Sequence, residues 1–177
     1  MPLEKLSENE IIELNQLEKL ASDSGFLLRI KVRKPLGIWA VKVVIAEKTV
    51  LGKIQIWGEM KAWAYRGYNG LQLDTMRVHP DAPYGIGDFI WCATMAWALE
   101  ETPCRKARLL AICDSEKKHY ALTRYFRRRG FISVKEVGSS LLDLPIRMVW
   151  GGSGNLMVGR CSEVFNYSYL RLLAIPK

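Results

Sequence analysis

The residues best suited to chemistry stand together at Val78-His79-Pro80-Asp81-Ala82-Pro83-Tyr84-Gly85-Ile86-Gly87-Asp88. The run ending at Val78 reads as a strand and the apolar run from Gly87 as a helix, so the stretch is a strand-to-helix junction. The first amides of a helix have no partner within it, and the helix dipole is positive there. Such a junction can therefore hold a phosphate or pyrophosphate. Gly85 and Gly87 would let an anion approach the backbone with no side chain in the way. A bare Gly-x-Gly, taken alone, is the mark of a tight turn that starts a helix rather than of an anion site.

Charge is the second chemical feature. The chain carries 26 Lys and Arg against 18 Asp and Glu, a net +8. Nine of the basic side chains fall within 105–129, against Asp114 and Glu116, whereas residues 1–24 hold Lys5 and Lys19 against six acids. The basic stretch suits a phosphate-bearing ligand, RNA or an acidic protein partner, or else a solvated helix face. His79, beside Pro80, reads as a solvent-facing turn residue. His119 reads as an exposed residue of a basic helix, or one that meets a phosphate. Trp63, Tyr65 and Tyr68, set among glycines and charges, suggest an acceptor pocket or a partner interface. Cys92, Cys104, Cys113 and Cys161 lack CxxC spacing, and two histidines add little, so the expectation is reduced thiols rather than zinc.

These residues need a scaffold to hold them. The length of 177 residues fits a single domain over 1–177, and 49% hydrophobic content is enough for a buried core. The longest uncharged run, Met148–Gly159, is too short and glycine-rich to span a bilayer, and the N-terminus lacks signal-peptide order. A soluble cytoplasmic protein is expected.

Ser7 and Glu10 fit a capping box before an acidic helix over roughly 8–21. Phe26–Val32 reads as a strand. Ile38–Ala46 and Val50–Trp57 read as a hairpin around Glu47-Lys48-Thr49. Gly58–Gly70 reads as a loop or irregular strand edge, and Leu71–Val78 as a strand alternating through Leu71, Leu73 and Thr75. Gly87–Glu101 is apolar nearly all round and must be buried against a sheet. Ala107–Cys113 is a buried strand, Glu116–Arg129 a helix closed by Gly130, and Phe131–Val137 a strand. The last forty residues read as glycine-rich loops with one or two strands, Gly151-Gly152-Ser153-Gly154 being a hairpin loop. The class is α/β or α+β, a mixed sheet flanked by helices.

From about Leu71 to Phe131 the chain resembles the Gcn5-related N-acetyltransferase (GNAT) superfamily. Ala82-Pro83-Tyr84-Gly85-Ile86-Gly87 stands where that family has its Arg/Gln-x-x-Gly-x-Gly/Ala pyrophosphate loop. Ala121–Phe131 resembles its later helix with the Gly-Phe ending. The resemblance from Leu71 to Phe131 covers a third of the chain, within a motif-bearing core of about 71–137. The resemblance implies a sheet splayed at the fourth strand, with acetyl-CoA as co-substrate and an unidentified amine as acceptor. Tyr84, Gly85, Ile86 and Gly87 would hold the pyrophosphate, and amides near Arg77 and Val78 would polarise the thioester carbonyl. Asp74 or Glu59 would take the acceptor's proton. The alternative is a non-catalytic relative that docks an acidic partner or RNA through 105–129.

Three departures stand out. Ala82 replaces the family's Arg/Gln, and Pro83 removes a loop donor. The N-terminal part has one helix ahead of closely spaced strands. Phe126 occupies the position of the usual acid tyrosine, with Tyr125 beside it as the candidate acid. Successive helical residues are turned by about 100°, so Tyr125 can replace Phe126 only if the helix is distorted.

Overall fold

The computed structural model describes residues 12–112 and 116–175, apart from the side chains of 116–118. The capping box at Ser7–Glu10 lies outside these residues. The first helix, α1 (Leu14–Asp23), starts later than the expected 8–21, with Glu13 as its N-cap. Its Leu14 amide is taken up by Glu100 Oε1 at 2.8 Å.

Seven strands follow: β1 (Leu27–Arg33), β2 (Trp39–Lys48), β3 (Ile54–Ala64), β4 (Leu71–Val78), β5 (Lys106–Ile112), β6 (Ile132–Val137) and β7 (Gly154–Arg160). They form one sheet in the order β1-β2-β3-β4-β5-β7-β6. Every neighbouring pair is antiparallel except β4 and β5. The helices α2 (Ile86–Glu101) and α3 (Glu116–Arg127) make the crossovers after β4 and β5. Two more, α4 (Leu144–Trp150) and α5 (Cys161–Leu173), flank β7 in sequence. Among the described residues one α-helix precedes the strands and only a 3-10 turn, Pro35–Gly37, separates β1 from β2, so the atypical N-terminal part is present.

α2 is the spine of the core. Trp91 and Trp97 are each 1% exposed, and burial of a large apolar side chain stabilises by about 1.5–3 kcal/mol. The helix has no polar face to spare because α1 and α5 pack on it as well as the sheet. Its approach to β3 depends on Gly58, where a Cβ would lie 2.7 Å from Ile90 Cδ1 and 3.0 Å from the Arg77 carbonyl.

Four expectations need correcting. β3 continues through Gly58 to Ala64, because Met60, Ala62 and Ala64 bury one face with a period of two. The β2–β3 turn therefore falls at Thr49–Lys53, not Glu47–Thr49. β4 does not alternate simply. A bulge at Asp74 lets Leu73 pair with Ala62 while Thr75 pairs with Lys61, so Met76 rather than Thr75 returns to the core side. The final forty residues hold α4 and α5 as well as β7. Gly151–Gly154 links α4 to β7 and is not a hairpin loop; Gly151 caps α4 at φ 76°.

Candidate functional site

The parallel partners β4 and β5 pair only at Leu71 with Ala107 and Gln72 with Arg108, then diverge. This leaves one edge of β4 open in a wedge-shaped cleft. At its floor the Leu73 carbonyl accepts a bond from the Trp150 indole at 3.4 Å. The His79 amide donates to Trp57 O on β3 at 2.8 Å, and Arg77 lies opposite Glu59. Successive amides of a strand point to opposite edges, so Arg77 N–H faces β3 and Val78 N–H faces the cleft. Of the two amides singled out in the sequence, Val78 is the one in position.

Beyond Val78 the loop turns at His79, whose Nδ1 accepts from the Asp81 amide at 3.1 Å and whose ring meets Trp57 edge-on at 5.6 Å. His79 is a turn residue, as its place beside Pro80 implied. Gly85 has φ 93° and is the N-cap of α2, a conformation that glycine adopts without penalty. Its α-carbon faces the end of α5, where a Cβ would meet Ile175 Cδ1 at 2.5 Å. Within the first turn, Ile86 N–H bonds Pro83 O and Phe89 N–H bonds Gly85 O. The Gly87 and Asp88 amides are left to face an outside acceptor. Tyr84 is exposed and Ile86 is buried in the core, so Ile86 would contribute only backbone.

Around this helix end gather side chains that the sequence did not connect. Asp88 is buried and paired with Arg129 Nη2 at 3.0 Å. Burial pushes the Asp88 carboxyl above its ordinary value, while Arg129 and Arg171 act in the opposite direction. The Arg129 guanidinium also lies 3.8 Å above the Tyr125 ring, and its Nε is buried without a hydrogen-bond partner. Tyr125 Oη accepts from the Trp91 indole at 3.0 Å, and a Cβ on Gly87 would lie 3.6 Å from it. Next to them is a cavity of about 450 Å³ lined by Tyr120, Ala121, Arg124, Tyr125, Arg128, Arg129 and Arg171. Four arginines thus line one concavity, and two of its lining residues, Tyr125 and Arg129, also touch the positive end of α2.

The basic stretch therefore does not form one flat face, since Arg124, Arg128 and Arg129 turn into this cavity. Arg171 comes from α5, the helix the sequence reading lacked. Its signal was present, with Cys161, Val164, Phe165, Ser168 and Leu172 buried at helical spacing. Phe126 lies in an aromatic cluster with Trp91 and Phe131, at 6.1 and 5.9 Å between ring centroids. It is Tyr125 that faces the start of α2, so the two neighbours point in different directions, as helical geometry requires.

The carboxylates Asp74 and Glu59 lie on the other face of the sheet from α2. Asp74 is exposed on the bulge and accepts from Thr75 Oγ1 at 3.3 Å. Glu59 is bound to Lys42 at 2.7 Å, and that ammonium holds its carboxyl below the usual value. His119 is half-buried rather than exposed, with Nδ1 unpartnered. Cys92, Cys104 and Cys161 are buried free thiols, and burial pushes Cys161 up to about 12. Among the described residues, no helix is long and apolar enough to cross a membrane.

No family model and no curated protein matches the chain. Among solved structures it is similar to nourseothricin acetyltransferase, at 13% identity over 77% of this chain and 88% of that one, with a TM-score of 0.46. It is also similar to NAA60 of Arabidopsis thaliana in complex with a bisubstrate analogue, at 12% identity over 83% and 91% of the chains, with a TM-score of 0.45. A third is the NatC complex bound to Gag peptide and CoA, at 12% identity over 89% and 96%, with a TM-score of 0.43. The order of elements and the parting of β4 from β5 give the mixed seven-stranded sheet, splayed at its fourth strand and flanked by helices, that the sequence resemblance implied.

Proposed function

We propose that the protein is an acyl-CoA-dependent N-acyltransferase, using acetyl-CoA and an amine acceptor. The observation that carries this reading is the convergence of Arg124, Arg128, Arg129, Arg171 and Tyr125 on a cavity at the amino end of α2. The orphaned Nε of Arg129 and the free amides of Gly87 and Asp88 suit the phosphates of CoA. These groups compensate for the missing Arg/Gln at Ala82 and the donor lost at Pro83. The cleft beside β4 suits the pantetheine arm, and CoA when bound would supply the activated acyl thioester.

In this reading Tyr84, Gly85, Ile86 and Gly87 form the pyrophosphate loop, and Val78 N–H donates to the thioester oxygen as negative charge develops there. Arg77 keeps β4 in register through its pairing with Glu59. Glu59 is a poor base while Lys42 holds it, so Asp74 is the carboxylate that accepts the amine proton through water. Tyr125 has its lone pair engaged by Trp91, which leaves its proton to donate. It stands by the phosphate end, so it serves binding rather than delivery of a proton to the thiolate. Release of the thiolate then relies on water, and turnover is slow.

The test is thermal melting with acetyl-CoA. The melting temperature should rise with ligand concentration through linkage. Arg128→Glu should reduce the rise, and Gly87→Glu, whose side chain would project toward Tyr125, should abolish it. No rise at millimolar ligand would end the acyltransferase reading.

A further inference from the structure

The outer face of β1–β4 carries a row of lysines that the acyl-transfer reading does not use, although Asp74, Glu59 and Arg77 of that reading lie on the same face. Strand pairing sets Lys31 opposite Lys42 and Lys42 opposite Lys61, three lysines in one row across three strands. The row on one side holds Arg29, Val44, Glu59 and Arg77; the row on the other holds Arg33, Ala40, Trp63 and Gln72. Six cations thus share a face with two carboxylates, Glu59 and Asp74. Like charges placed directly opposite each other destabilise a sheet. Glu59 pairs with Lys42, while Lys31 and Lys61 make no salt bridge among the described residues. Folding gains nothing from this row, and an anionic partner would.

The face is open to such a partner. Arg29, Lys31, Arg33, Lys61 and Arg77 are exposed, and Trp63, two residues along β3 from Lys61 in the neighbouring row, is 38% exposed. The described helices that pack on β1–β3 are α1 and α2, on the opposite face. A shallow groove of about 300 Å³ runs along Lys31, Arg33, Lys42, Lys61, Trp63 and Asp74. Rows across a sheet repeat every ~4.8 Å, and same-face residues along a strand every ~6.7 Å. The cations therefore form a grid with a short, regular repeat, which matches a chain with one negative charge per unit.

We infer that this face binds single-stranded nucleic acid, its phosphates on the lysine grid and a base stacked on Trp63. A sheet surface that combines cations with an exposed aromatic ring is a sequence-tolerant platform for unpaired bases. An acidic polypeptide would match the charge but would leave the indole without a planar partner, so nucleic acid is favoured. This surface is separate from the arginine cavity on the α2 side and stands whether or not the protein transfers acyl groups.

The test is fluorescence anisotropy of the full chain with a fluorescein-labelled single-stranded oligouridylate across a salt series. Wild-type protein should bind at low salt and lose affinity steeply as salt rises. Lys31→Glu with Lys61→Glu should weaken binding by at least roughly tenfold and flatten the salt slope. Trp63→Ala should cost about tenfold at every salt concentration. Arg127→Glu, on α3, should bind like wild type, and circular dichroism should show all variants folded. Absence of binding at low salt, or equal binding by wild type and the lysine variants, would overturn the inference. So would tighter binding of an oligoglutamate with the same dependence on these residues, which would assign the face to an acidic protein.

Discussion

Asp88→Asn tests the centre of the proposed site with two opposed effects. The carboxylate is 3.0 Å from Arg129 Nη2 and both side chains are under a tenth exposed. The substitution keeps the shape but leaves the Arg129 charge buried beside Arg171 and the positive end of α2. Breaking a buried pair on one side costs about 3–5 kcal/mol. In a domain of this size each kcal/mol lowers the melting temperature by about 2–4 °C, so a fall of roughly 6–20 °C is expected. The same change removes negative charge from the place where phosphates would lie. Acetyl-CoA should therefore stabilise Asp88→Asn more than wild type, because a phosphate takes over as the partner of Arg129. The assay is a thermal melt of both proteins across a ligand series. A melting point within 2 °C of wild type would refute the pair's structural role. A smaller ligand response than wild type would refute a phosphate at this helix end.

Tyr125→Phe leaves the buried Trp91 indole without its acceptor and should cost about 1–3 kcal/mol in denaturant unfolding. In steady-state kinetics it should raise the KM for acetyl-CoA and leave kcat nearly unchanged; a large fall in kcat would make Tyr125 the acid. The Asp143 carboxyl is held below its ordinary value by Lys135 and the Gly138 amide. Its stabilising contribution is present above the unfolded value and lost as pH falls through the lower folded one. Asp143→Asn should therefore flatten the acid limb of a melting-temperature profile between pH 5 and 2, and an unchanged limb would count against the assignment.

Much of the fold could be read along the chain because its signals were local. The apolar run of α2, the Pro103 stop after it and the glycine at 130 each act on their own neighbours. The strand-to-helix junction was legible for the same reason. β3 beyond Gly58 was hidden because its glycine reads as a loop, while its purpose is to admit Ile90 from a helix over thirty residues away. The cavity was invisible for a related cause. Arg129 and Arg171 lie forty-two residues apart and meet only because α5 lies along α2. Charge counting located the arginines but could not tell a flat basic face from a lined concavity. The lysine row on β1–β3 went unremarked, since its three members lie in separate strands and register alone brings them together.

The bulge at Asp74 makes β4 a strand with two phases. Below it Leu71 and Leu73 face the core; above it Met76 and Val78 do, and the edge amides shift by the same step. In an unbroken strand the Val78 amide would bond to β3 and that of Arg77 would face the cleft. One inserted residue therefore sets both which side chains meet α2 and which backbone donor is offered to a ligand. Straightening the bulge with every residue kept would act as an inversion, turning the Arg77 side chain toward the helix and withdrawing Val78 N–H from the cleft, whereas deleting Asp74 would leave all the other pairings as they are. Point substitutions along β4 alter its parts one at a time, whereas a frame of one residue decides what all of them are for.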